Sequence, residues 1–272
     1  MKPKISIRTI GLDLGDRKHA VCVLGADGTI LKEESISNTR GSLTALSRRN
    51  PGALIVMEVG MQSPWISRFF AALGHRVLVA NPRKVRAIYQ NDRKSDRNDA
   101  VLLAKLARAD ESLLCPIQPG TEQAQLDLIQ IKQRDGLVRQ RVNIISNVRF
   151  MLKSLGIRTR SSKTSYFAPH VRKELQGEHD DIIQRIEPSL KVLESLSLEI
   201  KNLDKAIAEL AAESYPETEF LSQITGVGVI TSLTFVLTIG DPERFRRPRD
   251  IGAFLGLVPK RDQSGDTDKQ LR

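Results

Sequence analysis

The chain has 272 residues, of which 40% are hydrophobic and 27% charged, and 42 Lys and Arg against 32 Asp and Glu give a formal charge of +10. That is enough for one large or two modest domains with a buried core, too apolar for a disordered protein, and basic enough to favour a polyanionic partner. Two cysteines, Cys22 and Cys115, and four histidines exclude a disulfide framework and a sulfur-ligated structural zinc, and the cytoplasm is the expected compartment.

The opening MKPKISIRTIGLDLGDRKH lacks the continuous apolar run and cleavage site of a secretory signal. Ile5 to Leu14 and Ala20 to Leu24 are apolar, β-branched runs. Asp27-Gly28 is a turn, and Thr29 to Ile36 makes a third strand, so the chain starts as an antiparallel meander. Residues 41–49 read as a short helix, Ala53 to Met57 as a buried strand, Trp65 to Leu73 as a helix and Val77 to Ala80 as a strand, which predicts a mixed α/β sheet. Asn81-Pro82 interrupts the pattern. Arg83, Lys84, Arg86, Arg93, Lys94 and Arg97 follow, before an Ala- and Leu-rich helix from Asp99 to Ala109.

From Thr121 to Ser214 the pattern is helical. Ile144, Val148, Met151 and Leu155 form one apolar stripe, while Lys132, Arg134, Arg139, Arg141, Arg149 and Lys153 crowd the remaining surface. Leu193, Leu196, Ile200, Leu203, Ile207 and Leu210 alternate steps of three and four, as in a short coiled coil, and would serve either an intramolecular hairpin or a dimer. Beyond Tyr215-Pro216, Gly226 and Gly228 separate two apolar helical stretches, as where a hairpin approaches another backbone closely. Such a turn is either purely structural or presents amides to phosphate. Residues 220–240 are uncharged but punctuated by Ser, Gln, Thr and Gly, so no membrane span is expected. The chain ends in a polar tail. The organisation is therefore three segments, 1–120, 121–215 and 216–272.

Any metal chemistry must use oxygen ligands. Asp13 follows a buried strand, Glu58 follows LIVM, and Asp96 and Asp99 open a helix in KSDRNDA. The spacing of three puts the last two on roughly one helical face, and the strand-end carboxylates would converge with them if the strands are neighbours. Clustered carboxylates repel unless neutralised, so magnesium would both hold them together and polarise a phosphate. Singly, each acid reads as a cap or surface residue. His19, a lone histidine, reads as structural.

GLDLGDRKHAV, MEVG, NPRKVRAI, KSDRNDAVLLA, ITGVGVITSL, FRRPRDIGAFLGLVP and QSG together resemble the DEDD transposases of bacterial insertion sequences, the insertion sequence 110 type programmed by a bridge RNA. The resemblance implies a RuvC-like RNase H domain over 1–120, a helical coiled-coil region over 121–215 and a mainly helical C-terminal transposase domain over 216–272. It implies that Asp13, Glu58, Asp96 and Asp99 bind Mg2+ while Ser264 attacks a DNA phosphate, forming a phosphoserine intermediate. The implied partners are donor and target DNA, a bridge RNA and further copies of the chain, a dimer or a tetramer once assembled on DNA, in the bacterial cytoplasm or on the nucleoid. Arg83, Lys84, Arg86, Arg93, Lys94, Arg97 and the basic residues from Lys132 to Lys153, with Gly226 and Gly228, are the expected nucleic-acid contacts. Similar proteins continue past QSG, so a partial C-terminal domain of impaired activity is expected. The alternatives are a RuvC-like junction nuclease using metal-activated water, and a nucleic-acid-binding assembly protein without catalysis.

Overall fold

The computed structural model describes residues 8–81, 95–118, 120–245 and 247–257, and the backbone of 260–264 and 267–271. The chain divides into two compact units, residues 1–119 and 120–272.

In the first unit the meander is β1 (Thr9–Leu14), β2 (Lys18–Leu24) and β3 (Ile30–Ser37), followed by α1 (Arg40–Arg49), β4 (Leu54–Glu58), α2 (Ser63–Ala72), β5 (Arg76–Ala80) and α3 (Asp96–Ala109). The sheet order is β3-β2-β1-β4-β5, with the first three strands antiparallel and β4 and β5 parallel to β1. This is the mixed α/β sheet that the strand and helix pattern predicts. Strand periodicity sorts the side chains into two layers. Ile10, Leu12, Val21, Val23, Ile55 and Met57 pack with Leu43 and Leu46 of α1 and Ile66 and Phe70 of α2. On the other face, Cys22 and Leu24 meet Ala100 and Ala104 of α3, while Leu54 and Val56 meet Leu103 and Ala107. Burying a side chain the size of Leu or Phe stabilises by about 1.5–3 kcal/mol, so the two layers together hold the sheet.

The second unit comprises α4 (Glu122–Ser154), α5 (Phe167–Leu175), α6 (Asp180–Ser214), α7 (Thr218–Ser222), α8 (Val229–Ile239), α9 (Asp250–Phe254) and an antiparallel hairpin, β6 (Lys260–Ser264) and β7 (Thr267–Leu271). Two apolar clusters hold it. Ile145, Val148 and Leu152 pack with Phe167, Val171 and Leu175 and with Ile186, Leu190 and Leu193; Ile131 packs with Ile207, Ala211, Leu233 and Leu237.

Of the heptad stripe of α6, Leu193, Ile200 and Ile207 are buried within the chain, whereas Leu196, Leu203 and Leu210 are half-buried. The contacts correct the stripe predicted for α4. Its packing face is Ile145, Val148 and Leu152, whereas Met151 and Leu155 are 43% and 60% exposed, because α5 and α6 approach from one side of the 3.6-residue spiral. The polar tail forms a strand pair in which Ser264 is the register partner of Thr267. Among the described residues no helix is long and apolar enough to cross a membrane.

Candidate active site

Asp13 and Glu58 stand side by side because β1 and β4 run parallel with Leu12 opposite Met57, and each acid is the next residue along. Alternation puts both on the α3 face. Leu12 and Met57 point into the opposite core, while Val56, two residues before Glu58, packs against α3, as does the backbone at Gly11, two before Asp13.

The direction of α3 completes the edge. Arg108, near its C-terminus, lies against Gly28 in the β2–β3 turn, at the end of the sheet where Thr9 pairs with Leu24. Its N-terminus therefore reaches the strand ends that carry Asp13 and Glu58. Ser95 caps the helix by accepting from the Asn98 amide at 3.3 Å, and Asp96 and Asp99 occupy the first turn, where the helix dipole favours negative charge. Asp99 lies one turn before Leu103, which packs on β4, and Asp96 one turn before Ala100, which packs on β2. In detail, Asp13 is inside β1 and Glu58 is the last residue of β4, and Asp96 is the first helical residue rather than the cap.

One edge and one face of the sheet thus collect all four acids. Asp13, Glu58 and Asp99 are half-buried and Asp96 is exposed. Among the described residues no three His, Cys, Asp or Glu side chains gather tightly enough to form a metal-holding group. Carboxylate oxygens are the kind of ligand that Mg2+ takes, and these four side chains are spread along an open edge rather than gathered into a coordination shell.

The basic residues divide sharply. Arg97 is bound to Glu33 of β3, its Nε donating to Oε1 at 2.8 Å and Nη2 to the other oxygen. The hydrogen bond from Arg97 holds the Glu33 carboxyl below its usual range. This exposed ion pair links the first turn of α3 to β3, so Arg97 is engaged within the unit and not held only for phosphate contact. Arg83, Lys84, Arg86, Arg93 and Lys94 lie outside the described residues. On α4, Lys132 and Lys153 are exposed; Arg139 pairs with Asp135 at 2.6 Å, Arg134 with Asp204 at 2.5 Å, and Arg149 sits 5.2 Å above the Phe167 ring. Arg141 is half-buried.

Gly226 has φ +88°, which only glycine adopts freely, and Gly228 is the extended residue before α8. Nothing lies within 4 Å of where a Cβ would be at either, so the expected close approach of another backbone is not the reason for the two glycines. The turn is exposed, and the first demand on it is conformational. His19 is fully buried beside Ile36, on the face of β2 away from α3, as its structural reading expects. Ser264 closes β6 in the second unit, and its side chain is outside the described residues.

A DEDD transposase model of the IS110 type matches residues 10–157, and a model described as transposase of the IS116/IS110/IS902 family matches 218–272. The transposase for insertion sequence element IS1111A of Coxiella burnetii is 26% identical over 97% of this chain and 72% of its own length. That for IS1328 of Yersinia enterocolitica is 26% identical over 96% and 76%, and the pilin gene-inverting protein of Moraxella bovis 23% over 78% and 58%. Among solved structures, RuvC of Thermus thermophilus aligns over 38% of this chain and 97% of its own, at 14% identity and a TM-score of 0.29. With its first family match covering more than half of its length and a second its C-terminal end, the chain belongs to the IS110-type family of transposases.

Proposed function

We propose that the chain cleaves DNA phosphodiester bonds in a magnesium-dependent reaction at the edge formed by Asp13, Glu58, Asp96 and Asp99. The supporting observation is that two parallel strand ends and one helix start bring these four acids to the same edge and face. Magnesium held there would polarise a scissile phosphate and lower the pKa of an attacking oxygen. The strands, fixed by both cores, hold two oxygen donors in register. The first turn of α3 adds two more, on a helix seated by its apolar packing against β1, β2 and β4.

The acid edge belongs to the first unit and by itself favours a nuclease reading, with water attacking a branched or junction DNA. Attack by Ser264 through a phosphoserine link, guidance by a bridge RNA and assembly into dimers or tetramers rest on the family resemblance. They form the finer part of the proposal, in which donor and target DNA are joined rather than merely cut.

The deciding experiment incubates the protein with a DNA junction and Mg2+, with and without guide RNA, and separates products under denaturing conditions. A covalent protein–DNA species that disappears in Ser264→Ala supports recombination. A protein-free cut that survives Ser264→Ala supports the nuclease. Undiminished cleavage in Asp13→Asn and Asp99→Asn would overturn both, and binding without cleavage in every condition would leave an assembly protein.

A further inference from the structure

Between α4, the short turn at residues 164–166 and α6 lies a cleft of about 510 Å³, lined by Arg134, Arg141, Thr164, Ser165, Lys201 and Asp204 among others. Three cations face one carboxylate there, and that carboxylate is spoken for, since Arg134 Nε donates to Asp204 Oδ1 at 2.5 Å. Arg141 and Lys201 are left to supply the net charge. The Nε of Arg141 is buried with no hydrogen-bond partner among the described residues. Burial, with the neighbouring Arg134 charge, lowers the Arg141 pKa, so the fold by itself disfavours this cation. A buried guanidinium N–H without an acceptor is destabilising, since it has lost its water and gained no partner. An anion with several acceptor oxygens would satisfy it, and the exposed Thr164 and Ser165 hydroxyls and the exposed Lys201 add donors around the same space.

We propose that this cleft binds a phosphate group of a nucleic-acid backbone, with Arg141 and Lys201 as the charged contacts. A tetrahedral phosphate offers the guanidinium fork two oxygens at once, and a point charge such as the Lys201 ammonium takes a third. None of the described residues lining the cleft is aromatic, so the space suits phosphate and sugar rather than a stacked base. The contact is therefore independent of sequence and positions the strand along α4 and α6. The inference rests on the reading of the chain as a DNA-acting enzyme, but its chemistry requires only a phosphate.

The test uses the full chain and two probes. Binding of a fluorescent DNA duplex is followed by anisotropy across a salt series, and inorganic phosphate is titrated while melting is recorded. Lys201→Gln and Arg141→Gln should each weaken duplex binding severalfold and reduce the slope of log affinity against log salt by about 0.9, the loss of one phosphate contact. Lys205→Gln, an exposed α6 lysine outside the cleft, should leave the slope unchanged. Lys201 is exposed, so its variant remains informative if Arg141→Gln destabilises the fold. Wild-type duplex binding with unaltered slopes in both variants overturns the cleft. If wild type binds no duplex but phosphate raises its melting temperature and fails to do so in Lys201→Gln, the anion site stands and the DNA reading falls. If neither probe binds wild type, the cleft proposal is overturned.

Discussion

Gly11 and Ala100 meet backbone to backbone: a Cβ on Gly11 would stand 2.0 Å from the Ala100 carbonyl oxygen and 2.9 Å from the Ala104 amide nitrogen. No side chain separates β1 from α3 at that point. The helix is thereby seated low enough for its first turn to reach the strand ends. Because the obstacle is backbone rather than a mobile side chain, Gly11→Ala must lift α3 from the sheet. We expect a loss of about 1–3 kcal/mol or more in chemical denaturation, together with loss of DNA cleavage, since Asp96 and Asp99 move with the helix. Unchanged stability in this variant would contradict the packing.

The acids and the fold separate in a second experiment. The cores of the first unit are apolar, so chelating divalent metal should abolish cleavage while leaving the melting temperature of the protein nearly unchanged. Asp13→Asn, Glu58→Gln and Asp99→Asn should each reduce the cleavage rate by about two to three orders of magnitude, with DNA affinity retained. A chelator that melts the protein would instead indicate a structural metal.

Tyr215 and Asp127 join the C-terminal end of α6 to the first turns of α4. The phenol donates to Asp127 Oδ2 at 2.5 Å, Gln123 donates to the other oxygen at 2.9 Å, and Asp127 is only 5% exposed. Tyr215→Phe leaves that carboxylate short of a donor and should cost about 1–3 kcal/mol. Burial first, then Asp127, pushes the Tyr215 pKa up to about 12. The folded state thus holds this proton more tightly than the unfolded chain does. The stabilisation is complete below the unfolded value of about 10 and is lost as pH rises towards about 12. Denaturation curves collected across that alkaline range should show the loss in wild type and a shallower one in Tyr215→Phe.

At the acid end the corresponding group is His19. Neither ring nitrogen has a hydrogen-bond partner among the described residues, and burial lowers its pKa, partly offset by the Asn38 side chain. The folded state keeps the imidazole neutral, so the stability is present above the unfolded pKa of about 6.5 and is lost as pH falls through the lower folded value. His19→Leu should flatten this part of the stability profile, as read from melting temperatures in a series of buffers. An equally steep acid limb in the variant would assign it to other groups.

Much of this protein is written locally. The apolar runs Ile5 to Leu14 and Ala53 to Met57 mark strands, Asp27-Gly28 marks a turn, and the three-four spacing of Leu193 to Leu210 marks a helix with one apolar side. The residue types of the acid set and their places at element ends were legible for the same reason, because short-range steric and hydrophobic preferences determine them. Tertiary structure decided what lies next to what. Only the parallel register of β1 with β4, and the opposite run of α3 over Gly11, place Asp13, Glu58, Asp96 and Asp99 at one edge. Only packing chose Leu152 over Met151 for the core of α4, since neighbouring stripes on a helix are equivalent until a partner covers one of them. The cations show the difference most plainly. Composition counts Arg97, Arg134 and Arg141 alike, yet Glu33 holds the first, Asp204 the second, and the third has its Nε enclosed in a cleft, because pairing and burial depend on residues far away in the chain.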